Sequence, residues 1–319
     1  MPEAYGQHTN AEINSQTIDS LELLEAILSL QPAAAAGGSS AEEKSLAEIE
    51  TLRNSIPEDM INVQMLKHKL QRSDDPLNIV LIQEVQRYNK LMEVIRSTLT
   101  QLELGIMGLD LISPELEQMI VNFSENKVPE AWSFAYFSTK PLSNWKEDLS
   151  ARYDFFKNWV TKGAPIVFWI SAFTFPAGFT TSLLQRFSRK QDSPPIDRLE
   201  FDFIPQTKAE AEFMDGPKDG AYITGLYLEG AKWDEEKLCL TEPQVMELYV
   251  PMPVIWFKPI SKRVKPPQNV YECPTYYYPI RKGTVVRDSY IMKVDLKLGE
   301  APSTHWIKRG TALLMSKGT

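Results

Sequence analysis

The reading of the fold starts from residues 75–104, DPLNIVLIQEVQRYNKLMEVIRSTLTQLEL. Asp75-Pro76 is a cap followed by a first-turn proline, the pair that opens a helix at low cost. Behind it Leu81, Val85, Tyr88, Met92, Ile95, Leu99, Leu102, Ile106 and Leu109 recur at alternating spacings of four and three. That spacing predicts one apolar stripe on a helix about 30 residues and about 45 Å long. Gly105 and Gly108 leave its last turn open.

Outward from this helix the composition divides the sequence. Only Tyr5, Tyr88 and Phe123 among 33 aromatic residues precede Ala131, and all seven tryptophans follow it. The front reads as helical and the back as increasingly β. A helix is expected over Thr17–Leu30, with Thr17 or Asp19 as N-cap, and Ala33–Ser40 reads as a linker. A surface helix around Leu46, Ile49 and Leu52, a short helix from about Pro57 to Leu70, and one opened by Ser113-Pro114 complete the front. Leu142, Trp145, Leu149, Tyr153, Phe156 and Val160 mark an amphipathic helix expected to pack on the long one. Ala164–Pro176 reads as a buried strand, being about half the length a membrane helix requires, and Ala177–Lys190 as a helix.

From Pro194 onward thirteen prolines cut the sequence into short pieces. Leu199, Phe201 and Phe203 alternate with Glu200 and Asp202, the pattern of a half-buried strand. Further strands are expected at Tyr222–Glu229, Leu248–Trp256, Thr275–Ile280, Ser289–Leu296 and Gly310–Met315. Together these give an α+β fold: a helical N-terminal part with a long amphipathic helix, then a C-terminal antiparallel β-barrel-like domain.

The sequence holds 34 Lys and Arg against 42 Asp and Glu, a net charge of -8, which argues against a nucleic-acid partner. No secretory signal is visible in Met1–Ser20 and no membrane span is expected. Cys239 and Cys273 show no C-x-x-C spacing, so a reducing, intracellular setting is the default.

Catalytic signatures are mostly missing: there is no phosphate loop, no G-x-G-x-x-G, no H-E-x-x-H and no G-x-S-x-G. Ser143 and Lys146 match S-x-x-K, in which the Lys can activate a Ser, but two fixed residues in four match often by chance and no S-D-N or K-T-G accompanies them, so they read as a Ser capping an amphipathic helix with a solvated Lys. His8, His68 and His305 lack a second ligand at metal spacing, and His305 beside Trp306 reads as structural, at a strand start. Glu235-Glu236 and Asp74-Asp75 read as solvent-facing turns rather than converging acids. Asn122-Phe123-Ser124 is a glycosylation sequon in form only. Lys258, Lys262, Arg263 and Lys265 form the clearest basic cluster, either a solvated loop or a dock for an acidic partner. No catalytic, cofactor-binding or metal-binding residue is assigned, and the residues alone point to an interaction or structural protein.

Several segments resemble the carboxyl-terminal end of dynein heavy chains, above all axonemal ones. Tyr5-Gly6-Gln7-His8-Thr9-Asn10-Ala11-Glu12-Ile13, with Leu24 and Ile27-Leu28-Ser29-Leu30-Gln31-Pro32, is similar to the end of the sixth AAA+ module. Gln83-Glu84-Val85 through Arg96-Ser97-Thr98-Leu99 resembles the long helix that follows. Phe168-Trp169-Ile170-Ser171-Ala172-Phe173 with Phe175-Pro176, and Gly225-Leu226-Tyr227-Leu228-Glu229-Gly230-Ala231 with Trp233-Asp234, are the more specific stretches. Met252-Pro253-Val254-Ile255, Tyr271, Cys273-Pro274, Tyr276 and His305-Trp306-Ile307 through Leu314 complete the likeness.

The resemblance implies residues 1–31 as a helical remnant of the sixth module, 32–56 as linker and surface helix, 57–193 as a helical subdomain and 194–319 as a small β-barrel. It also implies a non-catalytic part of a minus-end-directed microtubule motor, packed on the remainder of an AAA+ ring, in the cytoplasm and the axoneme of a cilium or flagellum. ATP and magnesium would bind upstream in that ring, and microtubules only through the full motor. A stand-alone peptide-binding adaptor is the alternative.

Overall fold

The computed structural model describes residues 2–30, 39–57, 59–70, 74–133, 136, 138, 140–190, 193–265, 267–279 and 289–316. Its helices are α1 (Thr9–Leu30), α2 (Ser39–Ser55), α3 (Val63–Leu70), α4 (Pro76–Ile106), α5 (Pro114–Ser124), α6 (Leu142–Lys162), α7 (Pro176–Ser188) and α8 (Ser303–Arg309). Its strands are β1 (Val167–Trp169), β2 (Leu199–Pro205), β3 (Ala221–Thr224), β4 (Tyr227–Glu229), β5 (Lys232–Asp234) and β6 (Cys239–Thr241), then β7 (Tyr249–Pro251), β8 (Ile255–Ser261), β9 (Val270–Tyr276), β10 (Tyr290–Lys297) and β11 (Ala312–Leu314). The protein divides into two compact units. One gathers Met1–Ala26, Asp75–Val80 and Pro165–Lys317, the other Ile27–Asp74 and Leu81–Ala164. No described helix is long and apolar enough to cross a membrane.

The helical unit forms around the stripe. Leu81, Val85, Tyr88, Met92, Ile95, Leu99 and Leu102 are all buried. The stripe then ends earlier than its spacing predicts, with Leu109 exposed. Gly108 has a positive φ of 71°, which takes the backbone out of the helix there. Helix α6 meets α4 through the Tyr88 and Phe156 rings, 5.4 Å apart. Its buried face carries Trp159 rather than the expected Val160. Trp145 lies between Trp132 and Tyr136, 5.9 Å from each and roughly parallel to both.

In the other unit a four-stranded sheet runs β1-β3-β8-β2 and a five-stranded sheet runs β10-β9-β11-β4-β7, beside the hairpin β5-β6. β1 lies parallel to β3 and β11 parallel to β9, so neither large sheet is purely antiparallel. Nor do they close into the expected barrel, which would leave no strand at an edge. Here β1 and β2 bound one sheet, and β10 and β7 bound the other.

The physical reason lies in two hand-overs. The expected strand Tyr222–Glu229 breaks at Gly225-Leu226, sending β3 to one sheet and β4 to the other. Gly225 sits at φ 91°, and a Cβ there would stand 2.5 Å from the Trp169 ring. The Ser171 hydroxyl donates to its carbonyl at 2.6 Å. The expected strand Leu248–Trp256 divides likewise into β7 and β8.

Other boundaries differ for local reasons. Helix α1 begins at Thr9, eight residues before the expected cap, and the helix expected from Pro57 begins at Val63. Ala164–Pro176 yields three strand residues and then a 3-10 turn over Ile170–Ala172. His305 lies in α8, not at a strand start, between Pro302 at its N-cap and Gly310 in the left-handed conformation at its C-cap. Most of the expected linker Ala33–Ser40 lies outside the described residues.

Candidate functional site

The residues singled out by chemistry do not converge. The Ser143 hydroxyl accepts from the Asn126 amide at 3.2 Å and donates to Asn144, in an exposed helix start, rather than bonding Lys146. Asp75 caps α4 by accepting from the Leu77 N–H at 3.1 Å, and it pairs with Arg186 at 3.4 Å. Glu235 and Glu236 stand exposed in the turn between β5 and β6, where the Asp234 carboxylate accepts from the Glu236 and Lys237 N–H groups. Burial pushes the Cys273 thiol well up, which keeps it from acting as a thiolate. Among the described residues no three His, Cys, Asp or Glu side chains are grouped to hold a metal. His68 is exposed on α3, and Asn122 is half-buried on α5.

Two arrangements are built instead, both in the β-containing unit. The first joins residues at opposite ends of the sequence. Asn10, buried at the start of α1, donates to the carbonyls of Gln244 at 2.9 Å and Glu247 at 3.0 Å, and accepts from the Met246 N–H at 2.9 Å. Its own N–H donates to His8 Nδ1 at 3.1 Å. Met246 is held at φ 76°, the left-handed region. The Glu247 carboxylate accepts from the Gln244 N–H at 2.9 Å and from Lys232 at 3.0 Å, and these bonds hold it below the usual carboxylate range.

Beside this turn, Arg309 of α8 reaches the Gly6 carbonyl at 3.4 Å and Glu242 at 3.2 Å, and His305 pairs with the same Glu242. A Cβ on Gly6 would press on the Lys308 side chain at 3.2 Å. Residues 6–10 are thus fixed to α8 and the turn at 244–247. His8 and His305 are the only members of this cluster that chemistry had picked out of the sequence. Asn10 and Glu242 carried no local signal, because their side-chain partners are more than 60 residues away, and Arg309 is drawn to Glu242 from 67 positions away.

The second arrangement takes in the basic cluster. Lys258 lies 5.1 Å over the Trp256 ring. Arg263 is engaged by Glu200 at 3.2 Å, Asp202 at 2.5 Å and Asp295 at 3.6 Å, so it is not available to an acidic partner. The Arg263 N–H also donates to Glu200 at 3.1 Å, and the Lys262 N–H to the Arg198 carbonyl at 2.8 Å. The base of the β8–β9 loop is thereby fixed. Lys262, Val264 and Lys265 remain outward, Val264 fully exposed.

A third feature is a surface rather than a cluster. On α1, Ile18, Leu21, Leu24 and Ile27 recur every three residues, each about half exposed, and Leu23 is 63% exposed.

Comparison with known proteins bears on these surfaces. Residues 17–315 match the family model described as the C-terminal domain of the dynein heavy chain. Dynein axonemal heavy chain 2 of Mus musculus and that of Homo sapiens are each 44% identical over 319 residues, 99% of this sequence and 7% of those proteins. The dynein-1-beta heavy chain of the flagellar inner arm I1 complex of Chlamydomonas reinhardtii is 44% identical over 324 residues, 100% of this sequence and 7% of that protein. The protein therefore spans about 7% of the length of these curated relatives. With a family match over most of its length and these identities over all of it, it belongs to the family of C-terminal domains of dynein heavy chains.

Proposed function

We propose that this protein is a non-catalytic region of an axonemal dynein heavy chain, which packs on the remainder of the motor's AAA+ ring and modulates ATP-driven movement along microtubules. The nucleotide and its magnesium are held by the ring, not by residues of this region. The names of the relatives, axonemal and flagellar, support a place in the cilium or flagellum.

The observation that carries this reading is the apolar row of α1. Ile18, Leu21 and Leu24 fall within about 120° of the helix circumference, and each is about half exposed. Burying a leucine or isoleucine side chain fully is worth roughly 1.5–3 kcal/mol, so these three mark a docking face. Helix α1 is also the segment whose first residues are locked to the β-containing unit through Asn10 and Arg309. A body that docks on α1 is therefore tied to that unit as well.

Modulation follows as a shift of populations. Ring states that keep the contact are favoured over those that break it, and a coupling of about 1–3 kcal/mol changes linked rates severalfold. The test adds the purified protein to the matching motor truncated before this region. Co-elution is expected, together with a changed microtubule-stimulated ATPase rate, and both should be lost on combined Ile18→Glu, Leu21→Glu and Leu24→Glu substitution. A folded protein that neither associates nor alters the rate would overturn the reading.

A further inference from the structure

The turn between α4 and α5 presents a second apolar surface, on the helical unit. Gly108 takes the backbone out of α4; beyond it Leu109 is 72% exposed and Leu111 91%, and Met107 just before it is half exposed. A single exposed leucine is ordinary on a protein surface. Three large apolar side chains left in solvent within five residues form a patch.

The backbone holds this patch in place. The Leu109 N–H donates to the Leu104 carbonyl and the Gly108 N–H to that of Gly105, both at 2.9 Å. Ile112 folds back on α4 so closely that a Cβ on Gly105 would stand 2.6 Å from its side chain. Ser113 then opens α5, its hydroxyl accepting from the Leu116 N–H at 3.4 Å. With Ile112 in the inner place, Met107, Leu109 and Leu111 stay outside. A surface fixed in this way has little left to order when a partner meets it.

The charge around the patch has one sign. Residues 97–126 hold Glu103, Asp110, Glu115, Glu117 and Glu125, and no lysine or arginine. Arg53 pairs with Glu103 at 2.6 Å and Lys127 with Glu125 at 3.0 Å. Asp110, Glu115 and Glu117 are exposed and have no cationic partner among the described residues. Hydrogen bonds from Ser113 and from its own backbone hold the Glu115 carboxyl below the usual range.

An apolar patch among unpaired acids is complementary to an apolar pocket rimmed by cations. The same acids are repelled by an anionic lipid surface. A second copy of this protein offers no match through its own apolar row on α1, which lies among Asp19, Glu22 and Glu25 in a segment with no lysine or arginine before Lys44. The protein covers 7% of its relatives' length, so most of a heavy chain of that size lies outside it.

We infer that the α4–α5 turn docks, through Leu109 and Leu111, into an apolar pocket rimmed by lysine and arginine on the remainder of the heavy chain. This rests on the reading above that the protein packs there, and it adds a contact separate from α1. Leu109 and Leu111 fill the pocket, and Asp110, Glu115 and Glu117 meet its rim.

The test measures binding of the 319-residue protein to the matching motor truncated before this region, at about 50 and about 300 mM salt. Combined Leu109→Ser and Leu111→Ser substitution is expected to weaken binding at least about tenfold. Combined Asp110→Asn, Glu115→Gln and Glu117→Gln substitution should weaken it about fivefold at the lower salt and leave it less salt-dependent. Glu115→Lys with Glu117→Lys should weaken it further. Val264→Ser with Glu235→Gln and Glu236→Gln, which removes exposed apolar and acidic groups elsewhere, should bind as the wild type does. Every substituted position is exposed, and unchanged urea midpoints would show that folding is not what is read. Wild-type association that the leucine and acid substitutions leave intact would overturn this inference and leave the reading above standing. Tighter binding on Glu115→Lys with Glu117→Lys would also overturn it, since the rim would then be acidic. A wild-type protein that does not associate would overturn both.

Discussion

The Asn10 side chain accepts the N–H of Met246 at 2.9 Å, joining the first turn of α1 to a left-handed turn residue 236 positions away. The same amide donates to the two carbonyls that flank this turn. Asn10→Ala leaves all three backbone groups without their partner and is expected to lower stability by about 1–3 kcal/mol in urea unfolding. Asn10→Asp should cost at least as much at neutral pH, because it sets a carboxylate against two carbonyl oxygens. Acidification that protonates the new side chain should recover part of the loss.

Two glycines with nearly the same φ separate conformation from space. Gly310 (φ 69°) ends α8 with nothing within 4 Å of an added methyl, so Gly310→Ala should cost only the left-handed conformation, about 1–2 kcal/mol. Gly220 (φ 75°) would set its methyl 1.9 Å from the Phe257 carbonyl oxygen. Gly220→Ala must therefore push β3 away from β8, and a loss above about 3 kcal/mol is expected by the same urea titration.

What the sequence made legible, and what it hid, follows from the range of the determining contacts. The stripe from Leu81 to Leu102 and the alternation Leu199–Phe203 are local periodicities, and α4 and β2 stand where these predict them. The break at Gly225 was hidden. Tyr222–Glu229 is a continuous strand pattern, and the residues that force the turn, Trp169 and Ser171, come more than 50 positions earlier. The basic cluster was visible as charge, yet the loss of Arg263 to three carboxylates depends on which strands become neighbours. Helix α8 was hidden for a different reason: seven residues are too few to establish a helical period, although Pro302 and Gly310 bracket it.

The helical unit holds a partly buried ion network whose pH response has a definite sign. Asp148 accepts from the Tyr136 hydroxyl and from Lys140, both at 2.7 Å, and Arg152 lies 4.0 Å over the Tyr136 ring. Burial, the largest influence, raises the Asp148 carboxyl, but the bonds from Lys140 and Tyr136 with Arg152 outweigh it and leave the carboxyl below the usual range. A lowered carboxyl stabilises the fold above the ordinary aspartate value and loses that contribution as pH falls through the folded-state value. Asp148→Asn should therefore flatten the acid side of the stability curve below about pH 4, read from urea midpoints between pH 7 and pH 2. Burial also raises the Tyr136 hydroxyl to about 12, so this partner stays protonated throughout that range.

The stacked aromatics beside this network should dominate the stability of the helical unit. Trp145 is fully buried between Trp132 and Tyr136, and Trp145→Ala is expected to cost about 3–5 kcal/mol. Trp132 donates through its indole N–H to the Thr98 hydroxyl at 3.0 Å. Thr98→Val keeps the shape and removes the acceptor, for an expected loss of about 1–2 kcal/mol in the same assay.

The placement of β11 constrains how the molecule is made. This short strand lies in the middle of its sheet, between β4 and β9, and all three of its residues are buried. During synthesis β4, β7, β9 and β10 leave the ribosome first, yet the two halves of their sheet have no shared neighbour until Ala312–Leu314 emerges. Until then the inner edges of β4 and β9 stand open to pairing with other nascent polypeptides. A premature stop just ahead of Ala312 would make that exposure permanent, so losing this one short strand would be expected to act as a loss of the whole sheet.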